Sequence, residues 1–305
     1  MSEIETILAT LPDAVSHTFG RGKPADYIPA LAEVCPNKFG MAISTVDGHD
    51  YVVGDAEENF STQSISKVFS LSLALHYAGE SVFERIGVEP SGNPFNSLSQ
   101  LEHENGIPRN PFINAGAIVV ADILLSHLSS PKRDFLDYIR SLSKNLDIQF
   151  NKEVFRSEYD NGQRNFALAY YLQSFGNIIN PVDQVLDFYF YLCSLSMSCL
   201  DLARASRFIA NDGLHPFKDK PVLSPVQARR INTLMMTCGT YDEAGEFAFH
   251  VGLPCKSGVG GGIIATIPGK LSLCVWSPEL GKKGNSLPGM EALKIFVEET
   301  GLAVF

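Results

Sequence analysis

The sequence has no apolar segment long enough to suggest a membrane span. Its most apolar stretches, residues 68–78 and 115–125, are too short to cross a bilayer and are interrupted by polar residues. The first fifteen residues carry acidic side chains and no basic stretch before an apolar run, which is not the pattern of a secretory signal. We therefore expect a cytoplasmic protein that does not bind a membrane.

The sequence also lacks the spacing of a metal site. Its seven histidines are scattered without an H-E-x-x-H motif, and its six cysteines form no C-x-x-C pair. The cysteines lie mostly in apolar segments, which is typical of reduced, buried thiols in a cytoplasmic protein. We expect no metal site.

Positive charge is scarce. Lysine and arginine number 24 against 34 aspartates and glutamates, so the formal net charge is -10, and the sequence pI is about 5.2. An acidic surface repels phosphate backbones, and no basic run offsets it. General nucleic-acid binding is therefore excluded.

Strand patterns occur towards both ends of the chain, and helical patterns fill the middle. Two pairs of β-prone runs, in residues 40–55 and 261–278, surround the turn sequences Asp47-Gly48 and Pro268-Gly269. Helical periodicity predicts helices over residues 114–128, 134–142, 164–175, 181–194, 200–210, 225–237 and 289–300.

This order of elements predicts a single domain of the α/β (α+β) class. We expect an α/β lobe built from about residues 1–82 and 213–305, and an inserted all-helical lobe from about residues 83–212. A cleft between two such lobes is a usual place for a small-molecule site.

The motif S-x-x-K, which can place an activated serine beside a lysine, occurs three times: at Ser64/Lys67, Ser129/Lys132 and Ser141/Lys144. Composition alone predicts about one such match by chance, so the surroundings must discriminate. The second copy contains Pro131, which predicts a loop with a solvated lysine. The third follows an amphipathic pattern and is predicted to lie on a solvent-exposed face.

The first copy has different surroundings. Ser64 is predicted to open a helix whose following residues, VFSLSLALHYA, are nearly all apolar, and Gly79 is a natural stop. In a buried helix Lys67 would be poorly solvated, which lowers the pKa of its amine and lets it accept a proton from serine. The alternative is that Ser64 caps the helix while Lys67 extends to water.

A second feature supports catalysis. Lys256-Ser257-Gly258 is the only K-[ST]-G sequence in the chain and directly precedes a predicted strand. Acyl-transfer enzymes with S-x-x-K use such a strand beside the nucleophile, where the N–H of Val259 could join that of Ser64 in an oxyanion hole. The alternative for the glycine-rich residues 258–262 is a flexible turn or bulge.

A third motif of such enzymes, S-D-N or Y-x-N, has two loose matches, at Ser91-Gly92-Asn93 and Tyr159-Asp160-Asn161. The sequence alone does not show which of these two matches, if either, has a function.

With these motifs, the chain resembles the serine-dependent glutaminases, the bacterial glutaminase A family with its β-lactamase-like fold. The resemblance runs over nearly the whole length, in the segments ADYIPALAEV, TVDG, QSISK, EPSGNPFNSL, NPFINAGAI, SEY, YFYLCS, MMTCGTYDEAGEFAF and GLPCKSGVGGGI. It implies a β-lactamase/DD-peptidase-like fold with a mainly antiparallel sheet, L-glutamine as substrate, no cofactor, and a homo-oligomer that is a dimer or a tetramer.

The resemblance also implies roles for individual residues. It makes Ser64 the nucleophile and Lys67 the general base, with Tyr27 as a further pocket-lining residue. Lys256 matches no ligand of the family, but its spacing suits electrostatic support of the site. The substrate-binding residues that it implies are Ser64, Asn114, Glu158, Asn165, Tyr189, Tyr241 and the backbone of Val259.

The chemistry of glutamine fits these residue types. Glu158 could pair with the ammonium group, and Asn114 and Asn165 could donate to the carboxylate. Each residue has an alternative: Glu158 could pair with Arg156, and Asn114 could cap a helix.

The implied reaction is hydrolysis of the side-chain amide of L-glutamine to L-glutamate and ammonia through an acyl-enzyme on Ser64. Tyr189 or Tyr241 could relay the proton to the leaving nitrogen, although the aromatic surroundings of Tyr189 also fit simple core packing. The rival hypotheses are another acyl hydrolase of this fold, a non-catalytic amino-acid-binding protein and a structural protein.

Overall fold

The structure, a computed structural model, describes residues 3–92 and 98–304. The helices in these ranges are α1 (Glu3–Val15), α2 (Pro29–Ala32), α3 (Ser66–Ala78), α4 (Val82–Arg85), α5 (Leu98–His103), α6 (Asn114–His127), α7 (Pro131–Ser143), α8 (Lys152–Asp160), α9 (Gln163–Ser174), α10 (Val182–Cys193), α11 (Cys199–Ala210), α12 (Pro225–Cys238), α13 (Ala244–His250) and α14 (Leu287–Thr300). The strands are β1 (Gly40–Thr45), β2 (Asp50–Gly54), β3 (Phe60–Ser61), β4 (Gln149–Phe150), β5 (Leu195–Met197), β6 (Cys255–Ser257), β7 (Gly262–Ile267) and β8 (Leu271–Trp276).

Both ends of the chain contribute strands to one antiparallel sheet of order β2-β1-β8-β7-β6. The two predicted hairpins are its β1–β2 and β7–β8 pairs. In the centre of the sheet, Ala42 pairs with Cys274, and Cys274 also pairs with Ile264. The sheet brings the two ends of the sequence side by side, as the separated strand patterns predicted.

Both faces of this sheet are covered by helices. Side chains alternate along a strand, so Met41 and Ile43 face α1 and α14, while Ala42 faces the opposite way towards α11. Because both faces are buried, the central strands β7 and β8 are buried along their whole length.

Helix α3 lies in the centre of the helical part of the molecule. Its residues 66–75 are all buried, and it packs against α6, whose residues 114–124 are also all buried. The nearly continuous apolar sequence of α3 is therefore matched by burial on all sides, as predicted.

The observed architecture confirms the predicted fold class, a mainly antiparallel sheet flanked by helices. The lobe boundaries stay a prediction, but the segment 83–212 differs from an all-helical insertion in two ways. It contains β4 and β5, which pair with β3 in a small sheet of order β3-β5-β4, and its last helix, α11, packs on the main sheet. The small sheet ties the segment before Ser64 to the end of α10.

Candidate active site

Ser64 lies in a tight turn between β3 and α3. This turn is a 3-10 helix, Gln63–Ile65, and α3 itself begins at Ser66, so Ser64 precedes the helix that it was predicted to open. Gln63 has a φ of 48°, in the left-handed region that non-glycine residues rarely adopt. This conformation turns the chain so that Ser64 stands half-exposed beside the cleft.

The glycine-rich segment after β6 packs directly against this turn. A Cβ atom on Gly258 would lie 2.6 Å from the Thr62 carbonyl oxygen and 3.3 Å from the Ser64 nitrogen, and one on Gly260 would lie 2.2 Å from the Ser61 carbonyl oxygen. The glycines therefore permit close backbone approach, and they also form a turn, since the Gly261 N–H donates to the Gly258 carbonyl oxygen at 2.9 Å.

These two segments carry the backbone N–H groups of Ser64 and Val259. Within the described residues, neither the Ser64 N–H nor the Val259 N–H donates to a protein acceptor. Val259 is 8% exposed and packs in a small cluster with Tyr241. Val259 follows Gly258 directly, and a Cβ atom on Gly258 would lie 3.3 Å from the Ser64 nitrogen, so the two donors belong to neighbouring backbone segments.

Lys67 is buried beneath the turn, at 2% exposure. Its Nζ donates to the Asn114 Oδ1 at 2.7 Å and to the Phe112 carbonyl oxygen at 3.1 Å. Burial lowers the pKa of its amine to about 8, although the charge of Glu158 opposes part of that shift. The side chain does not extend to water, so that alternative for Lys67 is wrong.

Asn114 joins Lys67 to a second amide. Its Nδ2 donates to the Asn165 Oδ1 at 2.9 Å. Asn114 is the first residue of α6 and does not cap it; the Asn110 side chain instead accepts from the Phe112 and Ile113 backbone N–H groups. Its amide is therefore committed to the site, and the capping alternative is wrong.

Glu158 lies half-buried on α8 and faces the same site. Burial raises the pKa of its carboxyl to about 7, while a hydrogen bond from Gln63 and the charge of Lys67 lower it in part. No ion pair in the described part of the chain links it to Arg156, which is two residues away on another face of the helix. The carboxylate remains available for a cationic group.

Tyr241 and Tyr189 both lie close enough to Glu158 for its charge to affect their pKa values. Burial raises the pKa of the Tyr241 hydroxyl to about 12, and side-chain hydrogen bonds with Ser64 and Ser257 lower it in part. Tyr189 is 4% exposed, and burial raises its pKa well above the usual value. Of these two tyrosines, Tyr241 is therefore the one whose pKa is affected by the Ser64 hydroxyl.

Tyr27 lines the outer side of the site. Its side chain is 55% exposed, yet desolvation, with the nearby Tyr241 and Glu158, raises the pKa of its hydroxyl. Tyr27 therefore lies near both Tyr241 and Glu158 at the edge of the site.

Lys256 is a second buried lysine, at 0% exposure. Its Nζ donates to the Ser257 carbonyl oxygen at 2.6 Å and the Gly239 carbonyl oxygen at 3.0 Å, and lies 4.7 Å from the centre of the Tyr241 ring. Burial and the nearby Lys67 lower the pKa of its amine well below the usual value. Lys256 therefore supports Tyr241 and β6 without contacting Ser64 itself.

Sequence reasoning missed two residues of this site. The Gln63 Nε2 donates to the Ser61 Oγ, which donates to the Cys193 carbonyl oxygen, each at 3.1 Å. The Cys193 thiol, expected to be a simple core group, interacts with Tyr189, and burial raises its pKa to about 12. The position of Gln63 inside the segment QSISK could have identified it as a site residue, whereas nothing in the sequence pointed to Cys193.

The second S-x-x-K copy lies elsewhere. Pro131 begins α7 and does not lie in a loop, and Lys132 forms an ion pair with Asp187 at 2.6 Å. Ser129 is exposed. This copy has no buried lysine and cannot activate its serine as the first copy can.

The third copy has a histidine partner, but in the wrong protonation state for catalysis. Ser141 Oγ lies 2.9 Å from His215 Nε2, and the Phe217 N–H donates to His215 Nδ1. Burial lowers the pKa of His215 to about 4, so its imidazole is neutral and Nε2 carries the proton. His215 therefore donates to Ser141 and cannot act as its base.

The Tyr159-Asp160-Asn161 match to the third motif makes contacts away from Ser64. Asn93 lies outside the described residues. The Asn161 side chain donates to the Ser157 carbonyl oxygen at 2.8 Å at the end of α8, and Tyr159 packs against Phe166 and Phe190.

Residues 3–92 and 98–304 contain no group of three or more His, Cys, Asp or Glu side chains that could hold a metal ion. No helix in these ranges is long and apolar enough to span a membrane. Of the six cysteines, Cys35 is exposed and the other five are buried, all as free thiols.

Several groups with chemistry suited to catalysis lie near Ser64. The serine stands in a strained turn with a buried lysine one helical turn away, and Tyr241 and the glycine-rich segment lie close to this turn. A carboxylate and two amides surround the same space.

Comparisons with known proteins agree with this interpretation. The sequence model of the Glutaminase family matches residues 22–305. The chain is 53% identical over 308 residues to a glutaminase of Agrobacterium fabrum, covering 100% of this chain and 99% of that protein. It is 52% identical over 306 residues to a glutaminase of Aliivibrio fischeri, covering 100% of both.

The fold is also similar to solved structures. One is described as a probable glutaminase from Bacillus subtilis complexed with 6-diazo-5-oxo-L-norleucine; its TM-score is 0.89 at 32% identity, over 100% of this chain and 97% of that one.

Proposed function

The chain belongs to the Glutaminase family, and from this premise we propose that it hydrolyses the side-chain amide of L-glutamine to L-glutamate and ammonia. Ser64 is the nucleophile and forms a glutamyl ester, and Lys67 is the general base.

The observation that carries this proposal is the environment of Lys67. A neutral amine has two N–H donors and one lone pair, and Lys67 has two acceptors, the Asn114 Oδ1 and the Phe112 carbonyl oxygen. The lone pair is then left for a proton from Ser64. A pKa of about 8 means that a useful fraction of the amine is neutral at neutral pH.

The surrounding groups support a free amino acid as the substrate. The Glu158 carboxylate would pair with the ammonium group, and the amides of Asn114 and Asn165 would donate to the carboxylate, with Tyr27 and Tyr189 lining the pocket. The ligand of the Bacillus subtilis structure is an amino acid whose C5 ketone corresponds to the amide carbonyl of glutamine, which supports the same assignment.

In the first half of the reaction, Lys67 takes the proton of Ser64 while the Ser64 oxygen attacks the amide carbon. The N–H groups of Ser64 and Val259 hold the resulting oxyanion. The C–N bond then breaks, and the proton held by Lys67 passes to the nitrogen, which leaves as ammonia.

In the second half, water attacks the glutamyl ester. Lys67 accepts a proton from the water, the ester bond breaks, and the Ser64 oxygen recovers the proton. Glutamate is released and the site returns to its starting state. These steps balance without a cofactor.

The proton relay belongs to Tyr241 rather than Tyr189. The closeness of the Ser64 hydroxyl, which lowers the pKa of Tyr241 in part, supports this choice, because the leaving nitrogen must pass next to the serine oxygen. Tyr189 then contacts substrate without transferring the proton.

The test is glutamate and ammonia release from glutamine by purified protein. We expect Ser64→Ala to lose roughly 10³-fold or more in turnover while it still binds glutamine. The matched control is Ser129→Ala, which removes the exposed serine of another S-x-x-K copy and should leave the rate unchanged. Near-normal ammonia release by Ser64→Ala would contradict the mechanism, and hydrolysis of esters but not of glutamine would favour the rival acyl hydrolase.

The oligomeric state and the cellular location are also proposals. We propose a cytoplasmic homo-oligomer, a dimer or tetramer. Light scattering during gel filtration and fractionation of the source cells would test the two parts separately.

A further inference from the structure

We propose that Asn285 is a positioning residue that holds Tyr241 against Ser64. This inference rests on the proposed function, because it assumes that the Tyr241 hydroxyl takes part in the reaction. Asn285 is far from Ser64 in sequence and does not belong to any motif that the sequence singled out.

The turn that carries Tyr241 does not support itself. Tyr241 has a φ of 56°, a left-handed conformation that is costly for an aromatic residue. The flanking residues are also non-helical: Thr240 has φ -112° and ψ 42°, and Asp242 has φ -92° and ψ 16°. Contacts from outside the turn must therefore hold this conformation.

Asn285 supplies such contacts on both sides of Tyr241. Its Nδ2 donates to the Thr240 carbonyl oxygen at 3.2 Å and also to the Glu243 carboxylate. Thr240 and Glu243 are joined directly as well, since the Glu243 N–H donates to the Thr240 carbonyl oxygen at 3.0 Å. One amide thus closes a ring of hydrogen bonds around the Tyr241 backbone.

The orientation of this amide follows from its partners. A carbonyl oxygen and a carboxylate are both acceptors, so the nitrogen of the Asn285 amide, and not its oxygen, must face them. Asn285 is 2% exposed and Thr240 is 1% exposed. Water is therefore poorly placed to replace the amide if its side chain is removed.

Asn285 is itself held firmly. Its backbone carbonyl oxygen accepts from the Gly281 N–H at 2.8 Å. The next residue, Ser286, caps α14, and its Oγ donates to the Ser277 carbonyl oxygen at 2.7 Å. The preceding Gly284 lies next to the ring of Tyr241, since a Cβ atom there would lie 3.7 Å from it. The residue 281–286 segment is thus a rigid support for the Tyr241 turn.

The consequence is catalytic because the tyrosine hydroxyl must stay within hydrogen-bond distance of Ser64. A displacement of about 1 Å at a reacting group can cost on the order of 100-fold in rate. Loss of the Asn285 amide should therefore lower the rate of the chemical step through Tyr241, and not through a general loss of folding.

A double-mutant cycle separates these two routes. We expect Asn285→Ala to lower kcat about 10-fold or more when Tyr241 is present, and less than about 2-fold when it is added to Tyr241→Phe, because the hydroxyl that it positions is already gone. The rate of covalent labelling by 6-diazo-5-oxo-L-norleucine, followed by mass spectrometry, provides a second readout when turnover is slow. An equal loss in both backgrounds, or full activity of Tyr241→Phe, would overturn the proposal.

Variants of Glu243, which is half-buried, test the same ring of hydrogen bonds around the Tyr241 backbone. Glu243→Gln keeps an acceptor for the Asn285 amide and should stay near the unmodified rate, whereas Glu243→Ala removes it and should lower kcat. If Asn285→Ala does not fold, the comparison of these two variants decides the matter, and equal rates would count against the proposal. An active Ser64→Ala would instead contradict the proposed function, so the two failures are distinguishable.

Discussion

Lys67 and Glu158 are ionisable side chains whose pKa values are moved towards each other by burial. The pKa of Lys67 falls to about 8, and that of Glu158 rises to about 7. Each shift disfavours the charged form, because charge is costly in a poorly solvated site. The proposed chemistry nevertheless needs Lys67 neutral and Glu158 ionised, so both must lose a proton before glutamine reacts.

We therefore predict a steep acidic limb in the pH profile of kcat/KM. The rate should rise with pH through about 7 to 8, and the slope of its logarithm should approach about 2 at lower pH, because two protons must be lost. The two groups interact, so the measured pKa values belong to the pair. The measurement is kcat/KM for glutamine between pH 5 and 9, in buffers of constant ionic strength.

The matched variant is Glu158→Gln, which keeps the size of the side chain and removes its titration. We expect a large rise in KM and an acidic limb with a slope of about 1, since only Lys67 still titrates. A slope that is unchanged in Glu158→Gln would argue against an ionised Glu158 in substrate binding.

The turn Gln63–Ile65, which carries Ser64, packs directly against the glycine-rich segment after β6. The Gly258 and Gly260 positions leave no room for a Cβ atom against residues 61–64. The Thr62 N–H also donates to the Leu195 carbonyl oxygen at 2.8 Å, which fixes the turn to β5. Contacts between these elements, and not the S-x-x-K sequence alone, determine where Ser64 lies relative to the glycine-rich segment.

We predict that Gly258→Ala lowers kcat by roughly 100-fold. Its Cβ atom would lie 2.6 Å from a backbone oxygen that cannot move without displacing the Ser64 turn. The control is Gly245→Ala in α13, where a Cβ atom meets nothing within 4 Å and alanine favours the helix. Steady-state rates and thermal melts of both variants test this, and equal activity of the two would contradict the packing argument.

The elements themselves were largely predictable, because local patterns encode them. Helix α6 was predicted to span residues 114–128 and runs from Asn114 to His127, since its apolar residues and its boundaries lie within one segment. Helix α8 was not predicted, because its sequence is polar and its helical form depends on packing against α10.

The contacts of the site were less predictable than its residues. Ser64, Lys67 and Glu158 carry recognisable chemistry and could be named from the sequence. The link from Gln63 through Ser61 to Cys193 joins segments more than a hundred residues apart. Such hydrogen bonds depend on which elements pack together, and local sequence patterns do not predict that packing.

The molecule as a whole carries two lysines in its interior. Lys67 is 2% exposed and Lys256 is 0% exposed, and among the described residues neither forms a salt bridge with a carboxylate. A buried amine without such a partner destabilises the fold, because either its charge is desolvated or its proton is lost. Lys67 has a proposed role in the reaction that accounts for this cost, whereas Lys256 only supports the site.

We predict that Lys256→Met raises the melting temperature at pH 7, by about 2 °C or more, while lowering turnover because the support of Tyr241 is lost. Because the pKa of Lys256 is lower in the folded than in the unfolded chain, the unfolded state binds more protons between the two values, and stability rises with pH there. The gain in melting temperature from the substitution should therefore shrink as the pH approaches about 10.4, the pKa of lysine in the unfolded chain.

The control is Lys270→Met at the exposed β7–β8 turn, which should leave the melting temperature unchanged at every pH. Melts of the three proteins between pH 7 and 10 test this, and a gain from Lys256→Met that stays constant with pH would mean that Lys256 has the same pKa in both states.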